Sequence, residues 1–204
     1  MKPKHFISVA VFAAGVFIAA KAQAQSNYPS TSINGQVWMA KNLDVSTFRN
    51  GDTIPQVNSE KDWAKAGEKK QPAWCYYGND PYNASKFGKL YNWYALTDPR
   101  GLAPQGWRIP VDEDFKKLIT HYQNDRKLLY AVLIEGGISG MNIPLGGWRG
   151  RKGDFKDKLE YGAVWSVTEK GKWVSYIELA PIFQVAGMRE AGKEAGLYVR
   201  CIKE

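Results

Sequence analysis

Cations and aromatic rings crowd one stretch of this 204-residue chain. Trp148-Arg149-Gly150-Arg151-Lys152-Gly153 is followed by Lys156 and Lys158, with Tyr161, Trp165 and Trp173 next in sequence. Ring faces offer stacking and cation–π contacts, and guanidinium and ammonium groups add charge. That mixture suits sugars, acidic glycans or single-stranded nucleic acid. Trp148, Arg149, Arg151, Lys152, Tyr161 and Trp173 are therefore the candidate ligand-binding residues. The competing reading is a solvated, Gly-rich loop whose tryptophans belong to the core. Lys152-Gly153-Asp154 looks like an integrin-type tripeptide, but three residues match too readily by chance to carry an argument.

Catalytic chemistry finds little to work with. Beyond residue 24 the chain has one histidine, His121, beside an apolar helical stripe. Without a second His, histidine-based zinc sites fail, and two cysteines cannot complete a structural zinc site. No serine sits in a nucleophile-elbow pattern. Asp112-Glu113-Asp114 and Asn79-Asp80 supply oxygens of the kind calcium takes. Acids at a helix start and a turn-forming Asn-Asp account for the same residues. Neither a catalytic set, a metal site nor a cofactor is expected.

These groups need elements to position them. Ser32 to Trp38 reads as two strands around Asn34-Gly35, the strongest short hairpin signal, and Asn50-Gly51 repeats it. Ser59 to Glu68 reads as a helix with Ser59 as N-cap and Trp63 facing inward. After Pro110, Phe115, Leu118, Ile119 and Tyr122 fall at i, i+3, i+4 and i+7, the stripe of an amphipathic helix. A second helix is expected over Asn124–Ile134, ended by Gly136-Gly137. The glycines from 140 to 171 predict short strands and long loops. Leu197 to Ile202 reads as a closing strand. Eight aromatics from Trp74 to Tyr94, interleaved with turn residues, predict a loop-rich region with an aromatic core.

Residues 1–24 read as a secretory signal. Lys2 and Lys4 form its basic start, Phe6–Ala20 its apolar run, and Ala22-Gln23-Ala24 its cleavage site. Cleavage leaves 180 residues, and losing Lys2, Lys4 and Lys21 takes the net charge from +8 to +5. No later stretch is apolar enough to span a bilayer. Export makes nucleic acid a poor target and points to envelope glycans or proteins. In an oxidising compartment Cys75 and Cys201 read as one disulfide closing a loop of about 127 residues. Two buried free thiols are the alternative.

Ordered sequence blocks carry a resemblance. They are GQVWMAKNL at Gly35–Leu43, NGDTIP at Asn50–Pro55, PAWCYYGNDP at Pro72–Pro81, FGKLYNWYAL at Phe87–Leu96 and DPRGLAPQGWRIP at Asp98–Pro110. PLGGWR at Pro144–Arg149, VWSVTE at Val164–Glu169 and YVRCIKE at Tyr198–Glu204 follow. Through them the chain resembles the Fibrobacter succinogenes major paralogous domain family, from about Ile33 to Lys203. GWRIPVDEDFKKL (Gly106–Leu118) and VWSVTE are also similar to segments of formylglycine-generating, sulfatase-modifying proteins. The resemblance implies an α+β, C-type-lectin-like fold: two helices on a twisted, mainly antiparallel sheet with long loops, its terminal strands side by side. After a lead-in over 25–32, one domain is expected over 33–204.

Departures from the family pattern fall in loops and at a helix start. Val111 stands where Ser or Thr is usual, so Asp112 is expected to cap the helix. Phe115 replaces a usual Trp, and residues 170–196 are rich in Lys and Gly rather than Asn and Ser. The paired catalytic cysteines of the formylglycine-generating enzymes have no counterpart, nor do the calcium tripeptides of sugar-binding C-type lectins. The expected function is an exported, non-catalytic binding or surface-associated module for a glycan or protein. The alternative is an enzyme or maturation factor on the formylglycine-generating scaffold.

Overall fold

The computed structural model describes residues 28–204, and the expected signal at 1–24 lies outside them. The hairpin of β1 (Ser30–Ile33) and β2 (Gln36–Met39) turns through Asn34 and Gly35, both left-handed at φ +48° and +75°. A two-residue turn of this hand matches strand twist and favours Asn-Gly. Its first strand begins two residues before the expected Ser32, at Ser30. Helix α1 (Glu60–Glu68) starts at Ser59, whose Oγ accepts the Asp62 N–H at 3.0 Å, and it buries Trp63.

The aromatic stretch folds as short pieces: β3 (Trp74–Cys75), α2 (Ala84–Phe87), β4 (Leu90–Tyr91), α3 (Trp93–Leu96) and β5 (Trp107–Arg108). Pieces this short need pins. Buried Asn92 is one: its Oδ1 accepts from the Ala73 and Ala95 N–H groups, and its Nδ2 donates to the Gln71 carbonyl. Helices α4 (Asp112–His121) and α5 (Arg126–Leu133) follow, the second capped by Asp125. A ribbon of β6 (Trp148–Arg149) and β7 (Phe155–Lys156) leads into β8 (Gly162–Lys170), β9 (Trp173–Ala180) and β10 (Val185–Gly192), and β11 (Ile202–Lys203) closes the chain.

The architecture is α+β with several antiparallel sheets. One sheet runs β1-β2-β11-β5, so the terminal strands lie side by side, with Ile202 opposite Trp38 and Arg108. The other large sheet is the β8-β9-β10 meander, on which α4 and α5 pack. Trp38, Phe115, Leu118, Leu129, Val164, Ile177 and Leu179 fill the space between them.

The meander corrects the expectation of short strands in the Gly-rich region, since its strands are the longest described. Glycine there marks turns and close approaches rather than breaks. Gly171 turns β8 into β9 at φ +65°. Gly187 lies within β10, where an added Cβ would meet Arg126 Nε at 3.3 Å.

The start of α4 is also corrected. Val111 occupies the N-cap position, and Asp114 reaches back to accept the Val111 N–H at 2.9 Å while gripping Arg108 through two bonds. Asp112 turns inward instead. Its carboxylate accepts from Ser166 Oγ at 2.8 Å and Ser175 Oγ at 3.0 Å, tying α4 to β8 and β9.

The expected Cys75–Cys201 disulfide is absent. Both thiols are free and buried, and they lie beyond bonding distance. Cys75 pairs with Leu90 in the β3–β4 ribbon and packs with Trp63, Phe87 and Tyr198. Cys201 precedes β11, where its carbonyl takes the Met39 N–H, and packs into a separate cluster with Leu43, Tyr91 and Trp107. An even cysteine count in an oxidising compartment permits a bridge, but backbone pairing has placed Cys75 in the β3–β4 ribbon and Cys201 beside β2. Burial pushes the Cys75 thiol up to about 11 and raises that of Cys201 further.

Candidate functional site

Strand alternation sorts the basic cluster into two faces. On β6, Trp148 faces outward and Arg149 faces in. Arg149 is 0% exposed. Its Nε donates to the Gly153 carbonyl at 2.9 Å, Nη1 to Val57 at 2.6 Å and Nη2 to Asn58 at 2.8 Å. The guanidinium sits 4.5 Å from the Trp63 ring centre and 4.7 Å from that of Phe155. Arg149 also exchanges both backbone hydrogen bonds with Gly196, which docks the ribbon onto the segment before β11. It is therefore a structural arginine beneath the surface, not part of an exposed binding face.

The other five candidates come together. Trp148, Arg151, Lys152, Tyr161 and Trp173 line one cleft of about 720 Å³ between the β6–β7 ribbon and the end of the meander. That volume falls in the usual range for small-ligand sites. Trp173 is 44% exposed, at the start of β9 opposite Gly192 at the end of β10. Lys172 Nζ lies over that ring, 5.2 Å from its centre, and the Glu194 carboxylate fills the space beside Gly192. Trp165, near the cluster in sequence, is buried and donates its indole N–H to the Tyr91 carbonyl at 2.8 Å. It belongs to the core.

The cleft adds residues that the linear cluster does not contain, among them Tyr176, Asp157, Glu190 and Glu194. Strand register places Tyr176 opposite both Trp165 and Arg189. The polar floor is a connected chain. Tyr161 Oη donates to Glu178 Oε2 at 2.5 Å and lies 2.9 Å from Tyr176 Oη. Glu178 is nearly buried, and Arg189 Nη2 holds its other oxygen at 2.6 Å. Burial, then Glu178 and Tyr176, raise the Tyr161 pKa well above the usual phenol range.

Charge around the walls is mixed. The Trp148 indole N–H donates to Asp157 Oδ2 at 2.7 Å, and Lys156 lies over the Trp148 ring while pairing with Asp154 at 3.0 Å. Glu190 pairs with Lys170 at 3.6 Å. Arg151 and Lys152 are exposed and make no ion pair among the described residues. The cleft thus offers two aromatic faces, a hydroxyl–carboxylate floor and two uncommitted cations at the rim. This set can stack a flat apolar face and exchange hydrogen bonds at its edges.

The remaining candidates lie elsewhere. His121 ends α4 against Tyr122 and does not line the cleft. The acids at 112–114 are each engaged: Asp112 by two serines, Glu113 by Lys116 and Asp114 by Arg108. Asp80 accepts the Tyr82 N–H and Asn79 donates to the Asn58 carbonyl, so that pair is turn chemistry. Among the described residues, no group of three or more His, Cys, Asp or Glu is placed to hold a metal ion. Nor is any described helix long and apolar enough to cross a membrane.

No curated protein and no solved structure matches this chain. The family model of the Fibrobacter succinogenes major domain matches residues 31–203, which takes in both large sheets except Ser30, the β6–β7 ribbon and every residue of the cleft. The chain therefore belongs to the Fibrobacter succinogenes major domain family.

Proposed function

We propose that this protein is an exported binding module, with a C-type-lectin-like arrangement, that holds a glycan chain in the Trp148–Trp173 cleft. The observation that carries the reading is convergence: five residues spread over 26 positions of sequence line one open cleft, in which the Tyr161 and Tyr176 hydroxyls are backed by the buried Glu178 carboxylate. Sugars present just the complementary surface, an apolar C–H face for the rings and hydroxyls for the edges. Catalysis has less support. Asp154, Asp157 and Glu190 are each engaged by a neighbour, which leaves Glu194 as the one lining carboxylate available for acid–base work.

The test is a glycan array followed by calorimetry on the purified protein and on Trp173→Ala. One lost stacking ring costs about 1 kcal/mol or more, so the variant should bind at least about fivefold more weakly. Because Trp173 is half exposed at a strand start, its thermal stability should match the parent. Undiminished binding by Trp173→Ala would place the ligand elsewhere.

A further inference from the structure

The hydroxyl chain at the floor of the cleft can point only one way. Glu178 is held by Arg189 at 2.6 Å and can only accept, so the Tyr161 proton goes to it. A phenol has one proton. The 2.9 Å contact between the two hydroxyls must therefore be Tyr176 donating to Tyr161. That commits the Tyr176 proton as well and leaves its oxygen with lone pairs alone. The indole N–H of Trp148 is likewise taken by Asp157.

We infer that the two phenol oxygens at the base of the cleft offer acceptors only, and that the ligand they select is an uncharged, hydroxyl-bearing saccharide chain rather than an acidic one. This rests on the glycan reading above and narrows its class. Arg151 and Lys152 pull the other way, toward anions, whereas Lys156 is neutralised by Asp154 and the Trp173 indole N–H is an uncharged donor. Arg151 and Lys152 are exposed at the rim, where water and salt screen them and ion pairs contribute little. A carboxylate on the floor would shed its water shell to face oxygen lone pairs, with Glu178 behind them. Sugar hydroxyls meet the same oxygens as donors. The floor outweighs the rim.

The experiment is an array carrying matched pairs of neutral oligosaccharides and their uronate counterparts: glucose with glucuronate, galactose with galacturonate, mannose with mannuronate. It is read at physiological salt, with calorimetry on the best pair. The neutral member should bind about tenfold more tightly. Tyr176→Phe deletes the acceptor and should weaken the neutral chain about fivefold while leaving the uronate unchanged. Tyr161→Phe frees the Tyr176 proton toward the cleft and should narrow the preference several-fold. Equal or tighter uronate binding, or variants that leave the preference intact, overturns the acceptor floor while the glycan reading stands. Silence from every pair overturns the glycan reading, and the class drawn from it.

Discussion

Replacing Arg149 by alanine should destabilise the fold severely, although the residue sits in the most basic, solvent-like stretch of the sequence. The side chain is fully buried and donates to three backbone carbonyls, those of Val57, Asn58 and Gly153. Hydrogen bonds from a charged donor contribute about 1.5–3 kcal/mol each, and losing the donor strands the buried acceptors. Contacts with Trp63 and Phe155 are lost too, leaving a large cavity between α1 and the ribbon. Relief from holding a desolvated cation offsets part of this. A net loss of about 3–5 kcal/mol is expected. For a domain of this size that lowers Tm by roughly 6–20 °C, since each kcal/mol moves it about 2–4 °C. Urea denaturation should show the midpoint falling with little change in slope. Arg149→Lys should recover only a fraction, because one ammonium cannot span three carbonyls. Arg151→Ala, two residues on and exposed, should stay within about 0.5 kcal/mol of the parent. An Arg149→Ala protein within about 1 kcal/mol of the parent would refute the pinning role.

Gly196→Ala should cost roughly 1–3 kcal/mol by thermal melt, because the new Cβ would stand 2.8 Å from the Trp63 ring and 3.1 Å from Arg149 Cβ; a neutral result would show that the ribbon gives way freely. Both cysteines should resist a thiol reagent in the native protein and titrate as two free thiols once it is unfolded. Their folded pKa values lie above the unfolded value near 9, so their contribution to stability is whole below that pH and is lost as pH rises through about 11 for Cys75. A disulfide found by mass analysis, or stability rising over that window, contradicts this. Mass analysis of exported protein should give an amino terminus at or near Gln25, and a full-length species as the sole product would remove export from the reading.

Local chemistry was legible in the sequence wherever a signal acts over a few residues. Asn34-Gly35 announced its hairpin because only a left-handed pair closes so tight a turn. Ser59 marked the start of α1, and the 3.6-residue spacing of Phe115, Leu118 and Ile119 marked the buried face of α4. Five of the six residues proposed from composition line one cleft, while Arg149 and the neighbouring Trp165 are buried.

Tertiary structure decided the rest, because pairing between distant strands leaves no mark on neighbouring residues. Register brought Tyr176 beside Trp165, and the contact of Tyr161 with buried Glu178 set the direction of the hydroxyl chain. Strand alternation separated Arg149 from Trp148 by one residue and a whole face, turning a presumed ligand contact into a core pin. Sheet topology also kept Cys75 and Cys201 apart, for a bridge depends on the distance between two backbones and not on how many cysteines a chain contains.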